Sequence, residues 1–489
     1  MKVGKKILIP VLAFVVSIVS SVPVSAQSYI YNSEQKVVAS PDAYILSQEI
    51  ALEAEGIAAV SPQDICVSPS GRIYVVDTNN HRVLMYNSKY EQVGVLSEFT
   101  LSDGTKTTLN KPEGIYVDGN ETIYIADTEN NRIIECDSQG NVSNVVENLK
   151  NFVGSNLAFK PTKVVVNKAG RLYVVARSNN QGILQIERDS EFIGYIGAPK
   201  VQYSLVEMMW RKFSTEEQLK KMQQFVPTEF NNIAIDEEEF IYATISALDA
   251  KEVTSAITSR DLSGNVTPIK KLNVVGDDIL KRNGDVAPMG DLEYLNDVYS
   301  KIVDVAATSG GLYAMLDSTN GRVFIYDYNG NLLCMYGNDS FSYVSSIAYA
   351  GDDMIILDSA NAEMYVYKLT EYGQLLMNAA TLQYHGDFDE AYTAWSEVVA
   401  HNYNFEYAFI GFGQSYMEEG RYEEAMECFL KADDKESYSE AKELLRKENM
   451  KTSFPFIVVV IICVAVLAIG WSLTKQFIQY VNRLKRRES

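Results

Sequence analysis

Apolar and polar residues alternate in short bursts along most of the chain. Runs such as "IYVVD" (73–77), "RVLMY" (82–86) and "IYIAD" (123–127) are rich in Ile, Val and Tyr and bounded by Gly, Asn and Asp. Runs of this length and composition predict strands rather than helices. The bursts also repeat. "PQDICVSPSGRIYVVDTNNHRVLMYN", from Pro62, superposes on "PEGIYVDGNETIYIADTENNRIIECD", from Pro112. A third copy starts at Pro161, and weaker copies start at Phe230, Val303 and Val344. Six copies of a short-stranded unit predict a mainly β fold, a six-bladed β-propeller over residues 27–370. Closure needs the two chain ends to share a blade, and "SYIYNSEQKVVAS" (28–40) is expected to complete the sixth.

The pattern changes twice more. Between the third and fourth copies, Trp210, Phe213, Leu219, Met222 and Phe225 recur at helical spacing behind a Ser214/Glu217 capping box, predicting a helical insertion over about 201–228. A second insertion is expected over about 275–299. From Glu371 the period becomes helical to about residue 450. "FPFIVVVIICVAVLAIGWSL", Phe454–Leu473, then has no charge and the length of one membrane-spanning helix.

The repeat copies carry a resemblance. The pattern Pro-x-Gly-Ile-x-Val, then Gly-x-Ile-Tyr-Val-Ala-Asp-Thr-x-Asn-x-Arg-Ile, resembles that of NHL-repeat propellers, and the first two copies follow it nearly throughout. The resemblance implies the propeller fold and leaves the function open, because such propellers include binding and sensor domains as well as hydrolases and lyases. The helical region resembles the tetratricopeptide repeat. Phe409, Phe412, Gly413, Tyr416, Gly420, Ala425, Phe429 and Ala432 sit where small residues let helices cross and large ones fill the gap. Leu375, Ala379, Leu382, Gly386, Ala391 and Trp395 precede them by 34 residues. That likeness implies a protein partner, with Phe409 and Tyr416 as candidate contacts, or a spacer between propeller and membrane. Trp210, Phe213 and Met222 are further partner candidates.

The ends of the chain suggest an address. Lys2, Lys5 and Lys6, an apolar core and Val24-Ser25-Ala26 read as a secretory signal over 1–26. The basic segment 474–489 behind the apolar helix reads as a cytoplasmic tail by positive-inside reasoning. The expectation is a bacterial single-pass membrane protein with its larger part outside. The net charge of −21 conceals +3 in the first 26 residues and +4 in the tail, leaving about −28 for residues 27–474. That balance argues against nucleic acid as a partner. Five cysteines, odd in number and without metal-like spacing, predict no disulfide framework.

Candidate chemistry is sparse. Asp127, Glu129 and Asn131 alternate like calcium ligands, but an EF-type loop would need Gly where Arg132 stands and Glu where Ser138 stands. The turn is better read as a blade corner in which Asp127 accepts backbone N–H groups and Arg132 covers the sheet edge or pairs with a nearby carboxylate. Only His81, His385 and His401 exist, which departs from zinc-binding lyases of this propeller type. No cofactor is expected. The alternative enzyme is a lactonase-like hydrolase with Ca2+ at the channel mouth. Mouth candidates come from the turns before the first strands, Asp64, Glu113, Lys163 and Glu229, and from the corners, Asn79, Asn80, Asn130, Asn131, Asn179 and Asn180. Lys163 would oppose a metal. Asp64, Gly114 and Lys163 share one repeat position, which predicts an asymmetric mouth suited to a small-molecule or sugar ligand. Tyr74, Tyr124, Tyr173 and Tyr242 occupy one strand position and are expected to pack blades rather than stack on sugars. The reading preferred over hydrolase or sensor is a non-catalytic, membrane-anchored scaffold.

Overall fold

The computed structural model describes residues 28–152, 159–177, 179–197, 229–259, 266–282, 288–292, 299–337 and 340–485. The repeat units fold as six antiparallel sheets whose first strands pack side by side in a closed ring, a six-bladed β-propeller. Blade 1 comprises Asp64–Val67, Ile73–Asp77, Arg82–Tyr86 and Gln92–Leu96, and blade 2 comprises Gly114–Val117, Ile123–Asp127, Arg132–Cys136 and Val142–Val146. Blade 3 runs from Pro161–Val166 to Phe192–Ile196, and blade 4 has three strands, Asn232–Ile235, Ile241–Thr244 and Ile269–Leu272. The second strands of blades 1 to 5 are buried end to end, and that of blade 6 is buried in all but its first residue, as expected for strands sandwiched between neighbouring blades. The four repeat tyrosines Tyr74, Tyr124, Tyr173 and Tyr242 are accordingly core residues.

Ring closure departs from expectation. Residues 28–40 do not complete the sixth blade. Tyr29–Tyr31 and Val37–Ala39 form a hairpin that extends blade 5 beyond Leu332–Gly337. Asn32 drives the reversal, its Oδ1 accepting from the N–H groups of Glu34 and Lys36. The strand that closes blade 6 is Tyr44–Ala51, paired along Glu363–Leu369. It escaped notice because "LSQEI" is largely solvent-exposed, an outer edge without the apolar alternation that marks a strand. Another element was missed, helix α1 (Ala250–Ser259), which stands in the corner between the second and third strands of blade 4. The insertion expected at 201–228 lies outside the described residues. The described parts of the second insertion bury Leu280, Met289 and Asp291.

The corners of blades 1 and 2 share one network. Asp127, with no exposed surface, accepts the Arg132 Nε–H at 2.8 Å, the Asn130 amide at 2.8 Å and the Asn110 backbone N–H at 2.7 Å. Arg132 and Asn130 then donate to the Thr108 carbonyl. Asp77, Arg82, Asn80 and the Val60 N–H repeat this arrangement. The opening of each blade is thereby tied to the end of its own second strand. Asp317 and Asp358 do the same in blades 5 and 6, toward the N–H groups of Lys301 and Ser342. His81 and Asn131 occupy the left-handed position that ends each corner.

After blade 6 come helices α2 (Glu371–His385), α3 (Phe388–His401), α4 (Ala408–Glu418) and α5 (Tyr422–Lys431), then the long α6 (Lys435–Lys485). Thr370 caps α2 by accepting the Gly373 N–H, while its hydroxyl donates to the Asp42 carbonyl at 2.7 Å. A side chain at Gly373 would overlap the Ala43 carbonyl. One core runs from blades 5 and 6 through Tyr44, Leu312, Tyr336 and Tyr367 into Leu376, Ala380, Trp395 and Phe405. Tyr407 donates to the buried Asp327 of blade 5, so helices and propeller share a buried hydrogen bond as well as a core. Within α6, residues 453–483 are long and apolar enough to cross a membrane, and none of them is buried.

Asp127→Ala leaves the Arg132 guanidinium half-enclosed without its carboxylate. It is expected to cost about 3–5 kcal/mol of stability, read as a lower urea midpoint by circular dichroism of the detergent-solubilised protein. Adding Arg132→Met should recover part of that loss. A single substitution without effect would refute the corner's structural role.

Candidate functional site

The first strand of each blade lines the central channel. At one end of that channel the six blades place Asp64, Gly114, Lys163, Asn232, Asp304 and Ser346 at one repeat position. Asp64 accepts the Ile115 N–H of blade 2 at 2.8 Å, and Asp304 accepts the Ile347 N–H of blade 6 at 2.8 Å. Ser346 accepts the Ile65 N–H of blade 1 at 3.3 Å. Each of these residues therefore clasps the following blade one residue further along. Gly114 carries no side chain because a Cβ there would overlap the Thr162 carbonyl, so blades 2 and 3 approach closely. Lys163 crosses the gap and pairs with Asp64 at 2.7 Å, also donating to the Gln63 carbonyl.

Ser346 Oγ lies 2.6 Å from Asp304 Oδ2 and 3.0 Å from Asp64 Oδ1. One hydroxyl proton cannot serve two carboxylates. The network closes when Asp304 keeps its proton and donates it to Ser346, which donates in turn to Asp64. The electrostatics agree. Burial pushes the Asp304 carboxyl up to about 7, Lys163 opposing the rise and Asp64 adding to it. Below this ring the channel wall is mostly apolar. Cys66 lies in it, its thiol pushed up to about 12 by burial and so unreactive near neutrality. All five cysteines are free.

Above the ring, blades 1 to 4 border a cavity of about 370 Å³ lined by Gln63, Glu113, Lys163, Arg177, Glu229 and Asn231, among others. Arg177 bridges Glu113 and Glu129, and Lys160 joins Glu129 at 2.6 Å. The hydrogen bond from Lys160 is the main reason the Glu129 carboxyl lies below its usual range. Of the mouth candidates, Glu113, Lys163 and Glu229 line this cavity and Asp64 lies in the ring beneath it. The corner asparagines do not converge there. Asn80 and Asn130 serve the corner aspartates, Asn131 holds its turn, and Asn179 donates to the Gly182 carbonyl. Asn79 binds the Val60 carbonyl through its backbone, and Asn180 is exposed. The calcium reading loses its geometry, because the Lys163 ammonium stands against the carboxylate a metal would need. Among the described residues no three His, Cys, Asp or Glu side chains could jointly hold a metal.

Comparison with known proteins accords with the repeat geometry. The NHL repeat pattern matches residues 60–86 and 109–135, blades 1 and 2 with their corners. The chain carries NHL repeats. A search of curated proteins gives no significant match. Among solved structures, virginiamycin B lyase from Staphylococcus aureus is similar at 12% identity and a TM-score of 0.41, over 67% of this chain and 100% of that one. A gluconolactonase from Xanthomonas campestris is similar at 12% identity and 0.39, over 64% and 87%. Likenesses this distant say nothing about what the NHL-repeat chain does.

The ring was only half read from sequence. Asp64, Gly114 and Lys163 were aligned, whereas Asn232, Asp304 and Ser346 were missed, as was Arg177. The signal was present: each ring residue directly precedes the apolar run of its first strand, as in "DICV", "GIYV", "KVVV", "NIAI", "DVAA" and "SIAY".

A folded Asp304 that titrates near 7 holds a proton that the unfolded chain loses near 4. Its contribution to stability therefore falls as pH rises between those values, by at most about 1.4 kcal/mol per pH unit. Asp304→Asn keeps an acceptor for Ile347 and removes the titration. The stability of the variant relative to the parent should rise from pH 4 to 7 in urea melts. A difference independent of pH would refute the protonated ring.

Proposed function

We propose that the protein is a non-catalytic binding and scaffold component, held on the outer face of a bacterial cell membrane by one helix. The observation that carries this reading is the saturated ring. Asp64 and Asp304 are engaged by Lys163, Ser346 and backbone N–H groups of adjoining blades, so the channel's carboxylates hold the propeller together. A metal-assisted hydrolase would keep such oxygens open toward its substrate.

The core and buried hydrogen bond that propeller and helices share support a platform. The signal-like first 26 residues and the basic tail support an orientation with the platform outside and the tail cytoplasmic. The helix pairs support the tetratricopeptide reading, since an added Cβ at Gly411 would overlap Trp395 and one at Gly413 would overlap Phe429. We assign a protein partner to the face of α4. Phe409, Phe412 and Tyr416 lie there in a partly exposed aromatic cluster with Tyr392, and Lys431 and Arg421 sit over two of its rings. Trp210, Phe213 and Met222 lie outside the described residues and stand as partner candidates by sequence alone.

Full-length protein tagged at its C-terminal end, captured from mildly crosslinked membranes and analysed by mass spectrometry, tests the reading. A reproducible set of membrane or surface proteins is expected, and Phe409→Ala with Tyr416→Ala should lower its recovery about tenfold. No enriched partner, together with calcium-dependent lactone hydrolysis by the purified protein, would overturn it.

A further inference from the structure

Helix α6 does not stop where its uncharged run does. Phe454–Leu473 gives about 30 Å of helix, the thickness of a bilayer's hydrocarbon core. The helix continues to Lys485, about 18 Å further. That extension is two-sided. Leu473, Phe477, Tyr480 and Val481 fall within about 100° of one another around the axis. Lys475, Gln479, Asn482 and Arg483 take the opposite side, and Ile478 lies between the two. Lys485, Arg486 and Arg487 follow in sequence, so five basic residues stand against the single acid Glu488. Phe477 and Tyr480 are 66% and 60% exposed, and none of residues 453–483 is buried against the rest of the described chain.

We propose that this extension binds anionic phospholipids of the leaflet in which the apolar run ends. The inference rests on the reading of Phe454–Leu473 as a membrane span and goes beyond it. A basic flank sets orientation, whereas a two-sided basic helix also selects lipid. An upright helix would carry Tyr480 through the headgroup layer into water. Tilting keeps the apolar side against the acyl chains and turns Lys475 and Arg483 toward the phosphates. Anionic headgroups supply the charge that five cations attract, and a guanidinium takes phosphate oxygens in pairs. A second copy of the helix fits this face less well, because it would set five basic residues beside five more.

The test reconstitutes the full-length protein in phosphatidylcholine vesicles containing rising fractions of brominated phosphatidylglycerol or brominated phosphatidylcholine. It reads the quenching of Trp471. Trp471→Phe, run in parallel, gives the emission of Trp210 and Trp395 to be subtracted. Brominated phosphatidylglycerol is expected to reach half-quenching at an about fivefold lower fraction, the worth of one basic side chain at an anionic surface. The preference should fall toward parity in about 1 M salt, which screens the headgroups. It should fall likewise in a variant combining Lys475→Gln, Arg483→Gln, Lys485→Gln, Arg486→Gln and Arg487→Gln. Phe477→Ser with Tyr480→Ser should lower it with every charge in place, because the helix then no longer lies in the interface. Equal quenching by the two lipids, a preference that survives salt or the glutamines, or one indifferent to the serines would each overturn the proposal while the span stands. Quenching by neither lipid would overturn the span as well.

Discussion

A carboxylate without exposed surface has to be surrounded by donors, and in this propeller that requirement shapes every well-formed corner. Asp77, Asp127, Asp317 and Asp358 end the second strands of four blades, each fully buried. Each accepts the N–H of the segment that leads into its own first strand. The bond fixes where a blade begins relative to where it turns, and so fixes how its first strand presents itself to the channel. In blade 3 the position is Ala176 and in blade 4 it is Ile245. Both blades border the mouth cavity, and blade 4 is the one whose corner is rebuilt around α1. Where the aspartate is lost, the structure is freed for something else.

The ring in the channel applies the same physics across blades instead of within them. Asp64, Asp304 and Ser346 each reach the next blade's backbone, and Lys163 completes the set from the opposite side. Two acids, one base and one hydroxyl form a network that is complete only with one additional proton. Such a network specifies how the blades meet, since a misplaced blade would strand a buried charge. It also explains why the lumen carries little reactivity: the groups that could act as acid, base or metal ligand are engaged with one another.

Much of this was legible in the sequence, for identifiable reasons. The six copies, their strands and the Asp127–Arg132 corner follow from local periodicity and turn chemistry, which do not depend on distant contacts. The long apolar helix is legible because twenty successive uncharged, mostly apolar residues stand out in the sequence. What escaped was non-local. The closing strand Tyr44–Ala51 is polar on its exposed face and exists because Glu363–Leu369 needs an outer partner. Asp304 and Ser346 become site residues only once 240 residues or more of chain bring them back beside Asp64. The asparagines of the corners misled for the opposite reason: their pattern is conspicuous locally, yet their donors are directed at their own turns.

The joint between propeller and helices has a mechanical meaning. The closing strand begins at Tyr44, paired with Leu369, and the next residue after Leu369 is the cap of α2. Thr370 binds the Asp42 and Ala43 carbonyls, so the cap lies across the first rung of the ring's closure. Tension arriving from the apolar part of α6 would pass along the helical stack to this rung. It cannot unzip the closing strand until α2 has been lifted from it. The end of the ring most open to peeling is thus clamped by the element that carries the load.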